Sequence, residues 1–190
     1  MKQIKGFSFG ILFLAIFGLF SCVDESVNTF EKLPYFDLKG FIEMKIQEID
    51  SVKVIKVSRI QGKENKVEST FSTKDWEEEF SVFTEADINK TSLIKSYDTK
   101  VDKATLTHEL FPNSKGKVKY IKVTYFEDKV SSVSIKIAED NMFYSSTTLG
   151  EIYMNNSTKL IDHYSIETTQ KIWFMDANNM RIQGVLGPKK

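Results

Sequence analysis

Cysteine is almost absent from this sequence: Cys22 is the only one, which excludes an intramolecular disulfide and any zinc site built on several thiolates. Proline and glycine are scarce, three and nine in 190 residues, so collagen-like and linker-like sequence is excluded. Net charge is missing too. The 26 basic side chains meet 26 acidic ones, and the chain therefore lacks the long-range field that nucleic-acid binders and polybasic membrane proteins use. What it has is 41% apolar and 13% aromatic residues, enough to bury the core of an ordinary globular domain.

The N-terminus does not read as part of that domain. Lys2 and Lys5 precede an uncharged apolar run over residues 7–20, the pattern of a targeting segment. At 14 residues the run is shorter than the about 20 needed to span a bilayer as a helix. Apolar side chains surround its whole helical circumference without a polar face, which argues against a core helix at the N-terminus of the fold. Directly after it stands Leu19-Phe20-Ser21-Cys22, which resembles the lipobox of bacterial lipoprotein signal peptides. The resemblance implies cleavage before Cys22, a diacylglycerol on its sulfur and acylation of the new amine by fatty acids such as palmitate. Two or more acyl chains hold a protein at a bilayer without any span. Val23-Asp24-Glu25 resembles a weak signal for surface display in some bacterial lineages, which leaves the periplasmic and outer faces open. The expected address is the bacterial envelope, lipid-anchored at the outer membrane. Residues 1–21 carry two Lys and no acid, so the remainder has a formal charge of −2.

The expected organisation is a signal peptide at 1–21, an acylated Cys and tether at 22–32, and one globular domain at 33–190. After Pro34, Leu38, Phe41, Ile42, Ile46 and Ile49 recur at helical spacing with charged residues between them. Gly40 inside this stretch costs up to ~1 kcal/mol relative to Ala. Residues 52–60 and 66–71 read as a hairpin turned by Gly62 and Asn65. Ser72 or Thr73 then caps a second helix with Trp76, Phe80, Phe83 and Asp87 along one stripe. From about residue 103 onward no helical period remains. Segments 117–126, 129–138, 142–153, 159–168, 171–176 and 180–186 read as strands, and the short turns between them join antiparallel neighbours only. The fold class expected is α+β: a twisted antiparallel β-meander with the two helices of the N-terminal half packed on one face.

Few residues point to chemistry. The two histidines lie 55 positions apart, with no metal-ligand pattern around either. His108 alternates with Leu106 and Leu110 and reads as a core histidine with a satisfied hydrogen bond. Asp162 precedes His163, but neighbours in a regular strand point to opposite faces and such a pair is not expected to interact. Neither a nucleophile elbow nor a phosphate loop is present. Glu77, Glu78 and Glu79 read as water-facing acids early in a helix. Lys117, Lys119 and Lys122 interleave with Tyr120, a pattern explained by the open face of an exposed or edge strand. Asp50-Ser51-Val52 resembles a short bacterial O-glycosylation acceptor and equally suits a turn.

No cofactor, metal or nucleic-acid partner is expected, and no enzymatic activity. The reading these features support is a membrane-anchored module that binds an envelope protein, a glycan or a lipid. One alternative is a curved-sheet carrier of apolar ligands, superficially similar to lipoprotein-carrier folds, with Phe143, Trp173 and Phe174 as groove residues; core burial is the preferred explanation of these aromatics. A hydrolase with a dispersed site at His108 or His163 is the weaker alternative.

Overall fold

The computed structural model describes residues 32–189, so the signal segment, Cys22 and the tether up to residue 31 lie outside the described residues. Helix α1, Leu38–Glu48, starts where Asp37 accepts a hydrogen bond from the Gly40 amide at 2.9 Å. It buries Leu38, Ile42 and Ile46, the stripe expected from their spacing. Lys45 is buried as well, because its ammonium donates to Glu48 and to the Lys159 carbonyl.

The hairpin that follows has strands β1, Val52–Ile60, and β2, Lys63–Phe71. Its turn is the pair Gln61-Gly62, with φ of 49° and 80°, the left-handed pair that matches the twist of flanking strands. Asn65 is therefore no turn residue. It lies in the ladder opposite Ser58, and β2 begins three residues earlier than the spacing suggested.

The second expected helix is two short ones, α2, Thr73–Glu79, and α3, Ser81–Glu85, broken at Phe80. Ser72 and Asp75 form a reciprocal capping box at the start of α2, and Asp50 accepts from both the amide and the hydroxyl of Thr73. The break leaves Trp76, Phe80 and Phe83 all buried.

The remaining strands are β3, Tyr97–Asp102; β4, Thr105–Leu110; β5, Val118–Phe126; β6, Lys129–Asp140; β7, Tyr144–Met154; β8, Ile161–Ile172; and β9, Asn178–Leu186. Among the described residues one nine-stranded antiparallel sheet runs β2-β1-β9-β8-β7-β6-β5-β4-β3. A meander from β3 to β9 thus meets the hairpin through the β1–β9 pair, with Val54 opposite Leu186.

Two strand expectations need correction. The segment 171–176 is not a separate strand: Lys171 and Ile172 end β8, paired with Ser145 and Tyr144 of β7, and beyond them the Met175 amide turns back to the Ile172 carbonyl. The apolar run Trp173 to Met175 lies in the β8–β9 loop, tied to Phe143 through the Trp173 amide. In addition, β3 lies before residue 103, where no element was expected. Its residues are mostly exposed, since an edge strand has fewer neighbours to impose an apolar pattern.

Register places the buried residues on one continuous face. Val54, Tyr164, Ile152, Val133, Val123 and Leu106 succeed one another across the sheet, with Leu186 and Gly184 between the first two. Two glycines on this face admit aromatic rings from above it or beside it. A Cβ on Gly150 would meet the Phe83 ring at 2.8 Å, and one on Gly184 would meet the Tyr164 ring at 2.1 Å. Trp76 stacks on Phe80 at 5.3 Å, and both meet Tyr164 edge-on.

Candidate functional site

Antiparallel order sends four connections to the same end of the sheet: the Gln61-Gly62 turn, residues 111–117, residues 141–143 and residues 173–177. At this loop end lies the largest concentration of exposed apolar side chains. Asn141 shapes the first part of it. Its side-chain oxygen accepts from the amides of Phe143 and Tyr144, each at 3.0 Å, while its own amide donates to the Tyr144 carbonyl. The tight turn pushes Met142 and Phe143 outward. The Trp173 amide donates to the Phe143 carbonyl at 3.0 Å, tying the β8–β9 loop to this turn. The Phe143 and Trp173 rings lie 6.5 Å apart.

The result is a projecting cluster. Met142 is 81% exposed, Phe143 62%, Trp173 73% and Phe174 80%, with Ile172 and Met175 exposed beside them. All three aromatics expected at a groove, Phe143, Trp173 and Phe174, are thus brought to one end. Core burial, the preferred explanation from sequence, does not hold for them. Met142, Ile172 and Met175 were missed, although the run Ile172 to Met175 carried the signal and was taken for a strand. An open cleft lies between the cluster and the hairpin tip, walled by Trp173, Phe174 and Met175 on one side and by Gln61 and Gly62 on the other.

No protein-family model, curated protein or solved structure matches the chain.

The histidines fall in two different settings. His108 is 2% exposed; its Nε2 accepts from the Phe36 amide at 3.0 Å and its Nδ1 lies 2.9 Å from the Thr99 hydroxyl. An accepting Nε2 puts the proton of a neutral ring on Nδ1, and burial holds the ring neutral by lowering its pKa. Both nitrogens are occupied, as expected of a core histidine. His163 departs from expectation: its Nδ1 lies 2.8 Å from Asp162 Oδ2. A register shift makes Tyr153 pair with His163 and Met154 with Ile161, so Asp162 is an extra bulge residue and no longer points away. The exposed His163 ring stacks on Tyr153 at 4.5 Å.

Glu79 is a further correction. Glu77 and Glu78 face water, but Glu79 is turned inward, accepting from the Tyr164 hydroxyl at 2.7 Å and pairing with the Lys56 ammonium. Burial and this carboxylate push the Tyr164 phenol far up. Lys119 and Lys122 belong to β5, which is an interior strand, and Lys117 directly precedes it. The open face explains them and an edge does not; Lys117 pairs with Glu139 at 3.1 Å. Ser51 is exposed in a left-handed turn with φ of 60°, its hydroxyl on Asp50. Among the described residues there is no group of three His, Cys, Asp or Glu that would hold a metal, and no helix long and apolar enough to cross a membrane.

Proposed function

We propose that the mature chain is a lipid-anchored binding module of the bacterial envelope, working through the loop end of its sheet. The observation that carries this reading is the cluster of Met142, Phe143, Trp173 and Phe174, each more than 60% exposed. Contiguous exposed apolar surface of this kind marks interaction sites, whereas single exposed apolar side chains such as Val101 are ordinary. The helices take one face of the sheet in this reading, Phe83 over Gly150 and Trp76 with Phe80 against Tyr164, and the tip lies outside that packing.

The carrier alternative needs an apolar cavity, and that face is occupied by Trp76, Phe80, Phe83 and Tyr164, none more than 1% exposed. A hydrolase needs a nucleophile beside its base. His108 is fully engaged, and among the described residues the hydrogen-bond partner of His163 is Asp162.

The test is a photo-crosslinking amino acid placed at 143 or 174 of the full chain in cells, with one at Val101 as an exposed control on β3. Adducts to a lipid, a glycan or a protein that exceed those from position 101 are expected. Equal labelling at all three positions in a correctly localised protein refutes the module.

A further inference from the structure

We propose that the partner of the loop end is the lipid–water interface of the bilayer that carries the anchor. This deepens the binding-module reading and rests on it. Three observations point to lipid. First, the side chains project: Met142, Phe143, Trp173 and Phe174 are 62% to 81% exposed at the rim of an open cleft, and neighbouring Phe143 and Trp173 are fixed together by a backbone hydrogen bond. A projecting apolar tip with a tryptophan suits a soft phase that closes around it, and tryptophan favours the headgroup level, where its ring is buried and its N–H stays hydrated.

Second, the chain enters the domain at the same end. Tyr35 packs edge-on against Tyr97 at 5.5 Å, its amide donates to Asn89, and Tyr97 opens β3 at the loop end of the sheet. From β3 to β8 there are five strand spacings, roughly 24 Å along the sheet at about 4.8 Å each. Residues 23–32 are ten residues, and a stretch of that length reaches at most about 33–36 Å. An anchor on Cys22 and the tip can therefore occupy one membrane surface together.

Third, the rim is near neutral, with Lys171 set against Asp176 beside the cleft. Apolar insertion, without attraction to headgroup charge, is the contact the tip offers. A single anchor leaves a domain free to tumble on its tether. A second, apolar contact holds it in one orientation, with the β5–β6 and β7–β8 turns directed away from the bilayer.

The experiment exploits the two tryptophans. Full-length lipidated protein is reconstituted into phosphatidylethanolamine/phosphatidylglycerol vesicles containing phospholipids brominated near the top of the acyl chains, the depth of roughly 5–10 Å that interfacial side chains reach. Trp76 is 0% exposed and serves as the internal standard. Bromolipid should remove the Trp173 share of the emission, leave the Trp173→Phe variant unchanged, and lose most of its effect in the Phe143→Ser/Phe174→Ser double variant with unchanged circular dichroism. Trp173 emission that ignores bromolipid but is quenched by aqueous iodide overturns the lipid assignment. If the crosslinker at 143 or 174 then captures a protein, the module reading survives that failure; if it captures nothing, both fail.

Discussion

Trp76 and Trp173 are the two tryptophans of the chain, and their surroundings are opposite. Trp76 is 0% exposed, donates its indole N–H to the Ile49 carbonyl at 3.1 Å, and is walled by Phe71, Phe80 and Tyr164. Trp173 is 73% exposed and meets a single ring, Phe143. The two regions share residue types, so hydrophobicity alone does not set the difference. Position does: Trp76 sits among the rings of Phe71, Phe80 and Tyr164, while Trp173 sits in the β8–β9 loop at the end of the sheet, where the described residues leave it exposed.

The contrast can be broken first at Phe83. Phe83→Ala leaves a hole above Gly150, and removal of a buried Phe costs about 3–5 kcal/mol, so urea denaturation should show a loss of that size. Gly184→Ala comes next. The added methyl would sit 2.1 Å from the Tyr164 ring, which cannot swing aside because its hydroxyl is held by Glu79. Overpacking of this kind costs about 1–3 kcal/mol. A midpoint equal to wild type would show that the ring moves freely.

A third test uses pH. The fold lowers the pKa of His108 from the ordinary 6.5 by burial, so on acidification the unfolded chain takes up a proton that the folded chain refuses. The stability this confers is fully present above about pH 6.5 and drains away as pH falls through the window between that value and the lowered one. Urea midpoints between pH 7.5 and 5 should decline in wild type and lose that component in His108→Gln. Asp50 and Asp75, lowered from 3.8 by their hydrogen bonds to Thr73 and Ser72, act only in stronger acid and are separable. The smallest effect is expected at the tip. Trp173→Ser and Phe174→Ser should shift stability by no more than about 0.5 kcal/mol, and a larger loss would mean that the cluster belongs to the core after all.

Local chemistry was the legible part of the sequence. The α1 stripe, the Ser72 cap and the β5–β6 and β7–β8 turns depend on residues near one another in the chain, and they stand where spacing put them. What failed depended on cover or on register. Ile172 to Met175 is apolar on both faces like a buried strand, yet residue type does not say whether anything lies over either face. Asp162 and His163 meet because one extra residue entered the ladder, a shift that no pattern of residue types announces. Glu79 reads as one of three equivalent acids until the break at Phe80 and the Tyr164 hydroxyl single it out. The tip residues were noticed as unusual aromatics, but their exposure follows from where two loops end in space.

The pairing of β1 with β9 also fixes an order in time. β1 obtains its first neighbour at once, from β2 across a two-residue turn, but its second only when Asn178–Leu186 has been made. Pairing across so long a stretch of chain is slow, because loop closure must precede any gain from the contacts. Until β9 arrives, β1 and β8 both present open hydrogen-bonding edges. The nine-strand order therefore waits on Asn178–Leu186: a polypeptide that stops short of those residues keeps two open edges in place of one continuous sheet.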